Sequence, residues 1–119
     1  MVGKNLLEFL INQSDYIVLS PTSSDLNLLN HSQIDKYLQI NNPDVIIHCA
    51  GIVGGIQANI SKPYSFLSLN TRIGINLIEA SIKNNIQKFI NLGSSCMYPK
   101  DRLNDLKEED ILTGPLEPT

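Results

Sequence analysis

The chain has 119 residues, of which 42% are hydrophobic, enough for one modest core in a single domain spanning 1–119. Nine basic and twelve acidic residues give a net charge of −3, and the chain has no Lys/Arg run that could neutralise the successive phosphates of a nucleic acid. No apolar stretch approaches the roughly 20 residues that cross a bilayer and no leader pattern opens the chain, which excludes a membrane partner and indicates a cytoplasmic protein.

The first third of the chain predicts a helix, a strand and a loop. Apolar residues at helical spacing predict a helix that begins almost at residue 1 with one face buried; they are Gly3, Leu6, Leu7, Leu10 and Ile11. The β-prone run "YIVLS" (16–20) predicts a short strand. The Pro/Ser/Thr-rich "PTSSD" (21–25) then predicts a loop that leads into "DLNLLN".

The middle of the chain predicts a second helix and a second strand. Ser32 and Asp35 form a near capping box before an apolar run at helical spacing, and "NNP" (41–43) stops the helix. The continuous apolar run "DVIIHCAG" (44–51) is typical of a parallel strand covered on both faces. We expect the glycine-bearing "GIVGGIQAN" (51–59) to be a loop.

The last part predicts a long helix over about 63–84, a buried strand in "KFINLGSS" (88–95), and a tail that is loop with at most one short helical turn. The order helix, strand, helix, strand, helix, strand predicts an α/β fold with a mostly parallel sheet. In such sheets ligands bind beyond the carboxyl ends of the strands. Three segments leave those ends: "PTSSD", "CAGIVGGIQAN" and "GSSCMYPK".

The two cysteines have no metal-ligand spacing and are too few for a disulfide framework, so we interpret both as reduced thiols without a metal. Cys49 and the neighbouring His48 fit core packing on a strand. Cys96 taken alone fits an inert thiol equally well, and Ser94 taken alone fits a turn. Only their setting in "GSSCMYPK" favours a reaction centre.

Four strings occur in a characteristic order: "DLNLLN", "CAGIVGGIQANISKPYSFLSLN", "INLGSSCMYPK" and "LEPT". In this order and at these separations they resemble the GDP-L-fucose synthase family of the extended short-chain dehydrogenase/reductase superfamily, over nearly the whole chain. The resemblance implies a Rossmann-type doubly wound parallel sheet that binds NADP(H). It also implies a GDP-sugar substrate, GDP-4-keto-6-deoxy-D-mannose, which is epimerised at carbons 3 and 5 and reduced at carbon 4 to GDP-L-fucose by a homodimeric full-length enzyme.

The resemblance assigns roles to four residues near the reacting sugar. Ser94 matches the catalytic serine that holds the keto oxygen and lies against the cofactor, and Cys96 matches one acid/base of the epimerisations. Ser95 between them shapes the substrate pocket, and Asn70 matches an asparagine on the active-site side. This agrees with the chemistry, because removing a proton beside a ketone needs an acid/base group and a donor for the enolate oxygen.

Six residues are assigned to the cofactor by the same resemblance: Gly3, Ser23, Asp25, Leu26, Ala50 and Gly51. Gly3 matches the last glycine of the pyrophosphate fingerprint, and Ala50 and Gly51 match the segment along the ribose and pyrophosphate. Asp25 and Leu26 match the start of the adenine-side segment, and the hydroxyl of Ser23, like those of Ser20, Thr22 and Ser24, is a neutral group that can bind a phosphate. "SPTSSD" lacks the Arg or Lys that pairs with the 2′-phosphate of NADP, so NAD is not excluded.

The family pattern is incomplete in this chain. The family's first strand and first two fingerprint glycines precede its match to "MVG", and its Tyr-x-x-x-Lys pair and sugar-binding region follow "LEPT". We therefore expect an incomplete Rossmann domain that is inactive by itself and folds poorly. The alternatives are a non-catalytic nucleotide-binding remnant and another extended short-chain reductase acting on a nucleotide sugar. Cys96 disfavours the second, because those families generally have Ser or Thr beside an acidic residue there.

Overall fold

The computed structural model describes residues 2–101 and 105–116. The described chain contains four α-helices, two strands and two short 3₁₀ turns. The helices are α1 (Val2–Ile11), α2 (His31–Asn41), α3 (Ile56–Ser61) and α4 (Pro63–Lys83); the strands are β1 (Val45–His48) and β2 (Lys88–Asn91); and the 3₁₀ turns are Ser95–Met97 and Glu108–Asp110.

The two strands pair in parallel, with Val45 opposite Lys88 and His48 opposite Asn91. Parallel strands need a crossover connection, and here α3 and α4 supply it. The predicted α/β class with parallel pairing is therefore confirmed. Both strands also leave the sheet at the same edge, which brings the loops after them together.

The core lies between one face of this sheet and the helix pair α2 and α4. Its buried members come from the loop before α2, from α2 and from α4; they are Leu26, Ile34, Leu38, Ile73, Leu77 and Ala80. Ile46 and Phe89, which are partners across the two strands, pack against this cluster from the sheet. Helical spacing on both helices thus forms the apolar layer that the sequence predicts.

A polar network joins the two helices at the rim of this core. The Lys83 ammonium lies 2.6 Å from the Asp35 carboxylate, and the Asn84 side chain donates to the other oxygen of Asp35 at 2.8 Å. These contacts lower the pKa of Asp35, with the hydrogen bond from Lys83 as the largest cause. The capping box predicted for Ser32 and Asp35 is wrong: the Asn30 side chain caps α2 by accepting from Gln33 N at 3.1 Å.

The predicted burial of β1 on both faces is wrong for the described residues. Val45 is 45% and Ile47 37% exposed, whereas their neighbours Ile46 and His48 are half-buried. Successive side chains of a strand point to opposite faces, so α2 and α4 cover one face only. The apolar side chains of this run lie on both faces of β1, and the described helices bury only those on one face.

The strand predicted at 16–20 is also wrong, since these residues have no regular secondary structure and Ile17 is 96% exposed. A strand exists only when a neighbouring strand satisfies its backbone groups, and no described strand lies beside this segment. The β-prone composition of "YIVLS" is a local preference without a local partner.

Two helices differ from the sequence prediction in detail. α1 forms as predicted, but none of its residues is buried and its apolar stripe is only half-covered. α3 was missed inside the segment predicted as loop. Its N-cap is Gly55, which supplies no side-chain cap, so the sequence carries a weak start signal. The long helix and the short turn in the tail are confirmed.

Candidate functional site

The candidate site lies where the loops after β1 and β2 leave the sheet. His48 and Asn91 are the last paired residues, and Leu92 N donates to His48 O at 3.4 Å just beyond them. The predicted residues Ala50 and Gly51 follow the first strand, and Ser94, Ser95 and Cys96 follow the second. The fold therefore places these two predicted groups at one edge, where parallel sheets bind ligands.

Asn70 on α4 holds the first of these loops. Its Oδ1 accepts from Ile52 N at 2.7 Å and its Nδ2 donates to Ile52 O at 2.9 Å. The side-chain amide thus pairs with both polar groups of one backbone unit, 18 residues away in sequence. Asn70 fixes the path of the loop after β1. One amide hydrogen and one lone pair of the oxygen stay available, so its contact with substrate remains a prediction.

Gly3 brings α1 close to the same loop. A β-carbon at Gly3 would lie 3.1 Å from the Cys49 β-carbon, which is tighter than ordinary contact. The first turn of α1 contains no acidic side chain. A helix N-terminus without nearby carboxylates suits the pyrophosphate of a dinucleotide, so this corner fits the cofactor role predicted for Gly3.

The second loop forms a tight turn that carries the thiol. Ser94 Oγ accepts from Cys96 N at 3.2 Å, and Met97 N donates to Ser94 O at 3.2 Å. Because the Ser94 oxygen accepts this bond, its hydroxyl hydrogen remains free to donate outward, as a group that binds a keto oxygen must. Cys96 is an exposed free thiol on the same turn. The turn thus presents a hydroxyl donor and a thiol within three residues.

The segment 105–116 returns to this turn. Leu112 N donates to Met97 O at 3.3 Å, and Lys100 N donates to Pro115 O at 3.0 Å. A β-carbon on Gly114 would lie 3.1 Å from the Pro99 β-carbon, so the two stretches touch. The sequence predicts only a loop with at most one short helical turn here and places no site residue in it. The available signal was the turn-forming "TGP" placed soon after "KEED".

The predicted adenine-side residues lie on a third loop. Asp25 Oδ2 accepts from Thr22 Oγ1 at 2.6 Å and from Thr22 N at 3.0 Å, and these two bonds lower the pKa of Asp25. Ser23 is exposed within the same turn, whereas Leu26 is buried in the core. The loop borders an open cleft of about 270 Å³ lined by Ser24, Asp25, Leu26, Gln33, Lys36, Tyr37 and Ile40.

The structure thus sorts the predicted residues into three groups. Gly3, Ala50, Gly51 and Asn70 lie around the loop after β1, Ser94 to Cys96 form the turn after β2, and Ser23, Asp25 and Leu26 lie on the loop before α2. Leu26 packs in the core, so a cofactor contact through its side chain would compete with that packing. The backbone N–H of Leu26 also has a partner, since it donates to Thr22 O at 3.0 Å, so a cofactor contact at Leu26 stays a prediction.

His48 lies in the last pair of the sheet, with its ring 6.3 Å from that of Phe89. Burial lowers the pKa of His48, which favours the neutral ring expected of a packed strand histidine. In residues 2–101 and 105–116 no group of three or more His, Cys, Asp or Glu could hold a metal ion. Within the same residues no helix has the length and apolar character to span a membrane.

Comparison with known proteins places this arrangement in a family. The model of the NAD dependent epimerase/dehydratase family matches residues 1–119. The chain belongs to this family. Its two helices on one face of a parallel sheet are accordingly the Rossmann-like fold of such proteins, as predicted.

Individual members of the family are similar over the whole chain. A GDP-L-colitose synthase of Yersinia pseudotuberculosis is 53% identical over 119 residues, and a GDP-L-fucose synthase of Azorhizobium caulinodans is 44% identical. The chain spans 38% of the length of each. A solved GDP-mannoheptose C4 reductase from Campylobacter jejuni with NADP bound matches with a TM-score of 0.85 and 31% identity, over 97% of this chain and 34% of that one.

The geometry of Asn70 gives a direct prediction. Replacing Asn70 with Ala removes both bonds to Ile52, each with a net value of about 0.5–1.5 kcal/mol. We expect amide exchange at Ile52 to quicken by about tenfold or more, because 1.4 kcal/mol corresponds to a factor of ten. Hydrogen exchange on the protein that carries this chain measures it.

Thr71→Ala is the matched control, since Thr71 is exposed on the same turn of α4. It should leave exchange at Ile52 unchanged. If Asn70→Ala also left it unchanged, another contact would hold the loop.

Proposed function

We propose that this chain is the N-terminal part of a GDP-sugar epimerase/reductase that converts GDP-4-keto-6-deoxy-D-mannose to GDP-L-fucose. The observation that carries the proposal is the Ser94–Cys96 turn at the carboxyl end of β2, which presents a hydroxyl donor beside a thiol. The names of the similar proteins, a GDP-L-fucose synthase and two other enzymes of GDP-sugars, support the substrate class.

The two side chains have distinct roles in this proposal. The Ser94 hydroxyl donates to the keto oxygen at carbon 4, which stabilises the negative charge that develops there when a neighbouring C–H is deprotonated. The Cys96 sulfur exchanges a proton with carbon 3 or 5. Ser95 lies between them and shapes the pocket wall, and Asn70 keeps the adjoining loop in place.

The proposed cofactor is NADP(H), which supplies hydride to carbon 4 when bound. Gly3 at the start of α1 would approach the pyrophosphate, and Ala50 and Gly51 would lie along the ribose. Ser23 and Asp25 would face the adenosine end, where the Asp25 carboxylate is ionised at neutral pH. Support for NADP comes from the similar reductase that contains it.

A GDP-L-colitose synthase is the second candidate, because the protein of that name is 53% identical to this chain, against 44% for the fucose synthase. Both candidate activities use a GDP-sugar, and in this chain either one would use the turn that carries Ser94 and Cys96. Supplying the protein that carries this chain with the GDP-sugar precursor of L-fucose or with that of L-colitose, and identifying the product sugar by NMR, separates them. A preference for the colitose precursor would replace the first candidate with the second.

The role of Cys96 is tested by Cys96→Ser. The substitution removes the proton carrier and changes little volume, so solvent deuterium exchange into carbons 3 and 5 should fall by about 100-fold or more. NADPH affinity should stay within about twofold. The measurement is NMR of the sugar after incubation in deuterium oxide with the protein that carries this chain.

Cys49→Ser is the control, because it removes the other thiol of the chain from a site that packs against Gly3. It should retain exchange within about threefold of the original protein. Exchange that survives in Cys96→Ser would assign the proton transfer to another residue.

Cofactor preference gives a second test. Ser20 to Asp25 contains no cation, so one charge-assisted contact to the 2′-phosphate is absent, at a cost of about 1.5–3 kcal/mol. We expect NADP to be preferred over NAD by well under about a thousandfold, or ~4 kcal/mol. Dissociation constants for both cofactors provide the comparison.

Lys36 is a candidate for the positive charge that would bind the 2′-phosphate, because it lines the cleft beside Ser24 and Asp25. A preference above a thousandfold that disappears in Lys36→Ala would mean that α2 supplies the missing charge. Lys4→Ala, on the exposed face of α1, is the matched control.

The third test concerns residues 1–119 by themselves. The sequence contains no Tyr-x-x-x-Lys, and the exposed Ile17, Val45 and Ile47 leave apolar surface uncovered. We expect this segment alone to self-associate, to bind NADPH no more tightly than millimolar and to reduce no 4-keto sugar. Light scattering and a fluorescence titration with NADPH measure this. A monomer with saturable micromolar binding would show that the segment is a functional domain.

A further inference from the structure

Asp110 is the one buried carboxylate among the described residues, with 4% of its surface exposed. It lies in a short acidic turn whose other two acidic residues, Glu108 and Glu109, are exposed. A buried carboxylate is costly unless hydrogen bonds compensate its lost hydration. Its burial therefore indicates a specific structural use, which the proposed chemistry leaves unassigned.

The carboxylate organises its own turn. Asp110 Oδ2 accepts from Lys107 N at 3.0 Å, and Asp110 N donates to Lys107 O at 2.9 Å. On the other side, Thr113 Oγ1 donates to Asp110 O at 2.8 Å. These bonds tie residues 107–113 into one unit around Asp110.

This unit is bonded directly to the turn that carries Cys96. Leu112 N donates to Met97 O at 3.3 Å, next to the thiol-bearing residue. Lys100 N donates to Pro115 O at 3.0 Å a few residues further on. The bonds from Cys96 N, Met97 N and Tyr98 N stay within residues 94–98, so these two bonds connect the turn to another part of the chain.

We propose that Asp110 is a positioning residue for the reaction: its buried turn holds residues 112–115 against residues 97–100 and thereby keeps in place the turn that carries Ser94 and Cys96. The consequence for catalysis rests on the proposed function. Asp110 touches neither sugar nor cofactor in this role and acts through the backbone of Met97. A displacement of about 1 Å in a reacting group can cost ~100-fold in rate, so a short backbone clamp is sufficient.

The test compares Asp110→Ala with Asp110→Asn and Glu109→Ala in the protein that carries this chain. Asp110→Ala removes the acceptor for Lys107 N, Asp110→Asn keeps an oxygen there, and Glu109→Ala removes an exposed carboxylate of the same turn. Two quantities are measured: amide hydrogen exchange in peptides covering 96–100 and 107–116, and solvent deuterium exchange into the GDP-sugar with its kcat and KM.

For Asp110→Ala we expect amide exchange in both peptides to quicken by about tenfold, because 1.4 kcal/mol corresponds to a factor of ten and a charge-assisted bond is worth about that. The kcat for carbon exchange should fall by about 10- to 100-fold while the KM values for sugar and NADPH stay within about twofold. Asp110→Asn and Glu109→Ala should each remain within about threefold of the original protein. A merely structural role would lower the amount of folded protein and leave the kcat of the folded fraction unchanged.

A second variant decides the matter if Asp110→Ala does not fold. Gly114→Ala places a methyl group 3.1 Å from the Pro99 β-carbon and pushes the same two stretches apart without altering Asp110. It should lower kcat in the same direction by a smaller factor. A folded Asp110→Ala or Gly114→Ala protein with unchanged kcat would overturn the proposal.

Failure of the proposed function gives a different result. In that case the original protein shows no exchange into the GDP-sugar, while the amide-exchange comparison, which needs no substrate, still reports whether Asp110 holds the turn. Amide exchange in 96–100 that is equal in Asp110→Ala and the original protein would overturn the positioning role itself.

Discussion

The parallel pairing of β1 with β2 positions the two loops that carry Gly51 and Cys96. Because the strands run in the same direction, with His48 opposite Asn91, the loops that follow them leave at one edge. An antiparallel pair would send Gly51 and Cys96 to opposite ends of the sheet. The parallel arrangement is possible because α4 lies between the two strands in sequence and returns the chain to the start of the sheet. It packs on α2 through Ile73, Leu77 and Ala80.

Hydrogen bonds to backbone distant in sequence then connect the loops at that edge to other parts of the chain. Asn70 reaches from α4 to both polar groups of Ile52, and the Asp110 turn reaches the backbone at Met97 through Leu112. Loops exposed to water bury little apolar surface. Their order therefore depends on such specific hydrogen bonds more than on burial. Ser94 and Cys96, the two residues to which we propose reactive roles, are exposed.

The described residues cover the sheet unevenly. One face packs on α2 and α4, whereas Val45 and Ile47 on the other face and Ile17 in the irregular segment before α2 are exposed. The half-covered α1 lies on the loop after β1 through Gly3 and buries none of its residues. Open apolar surface next to an unpaired strand edge favours association, which is why the behaviour of residues 1–119 alone is informative.

The sequence by itself determined the elements whose signal is local. Helical spacing of apolar residues predicts α2 and α4, and continuous apolar runs predict β1 and β2, because each pattern states which faces need burial. The string "GSSCMYPK" also predicts a reactive turn at a strand end.

The tertiary structure alone decided what depends on partners distant in sequence. "YIVLS" has the composition of a strand but no described neighbour to bond with, and the run around Val45 has helices on one face only. Asp35 pairs with Lys83 and does not cap its helix as the sequence predicts. Asp110 lies in a tail that the sequence predicts as loop, and its carboxylate is buried. The physical reason is the same in each case: hydrogen bonds and burial are satisfied by whichever group the fold brings near, and local sequence does not specify that group.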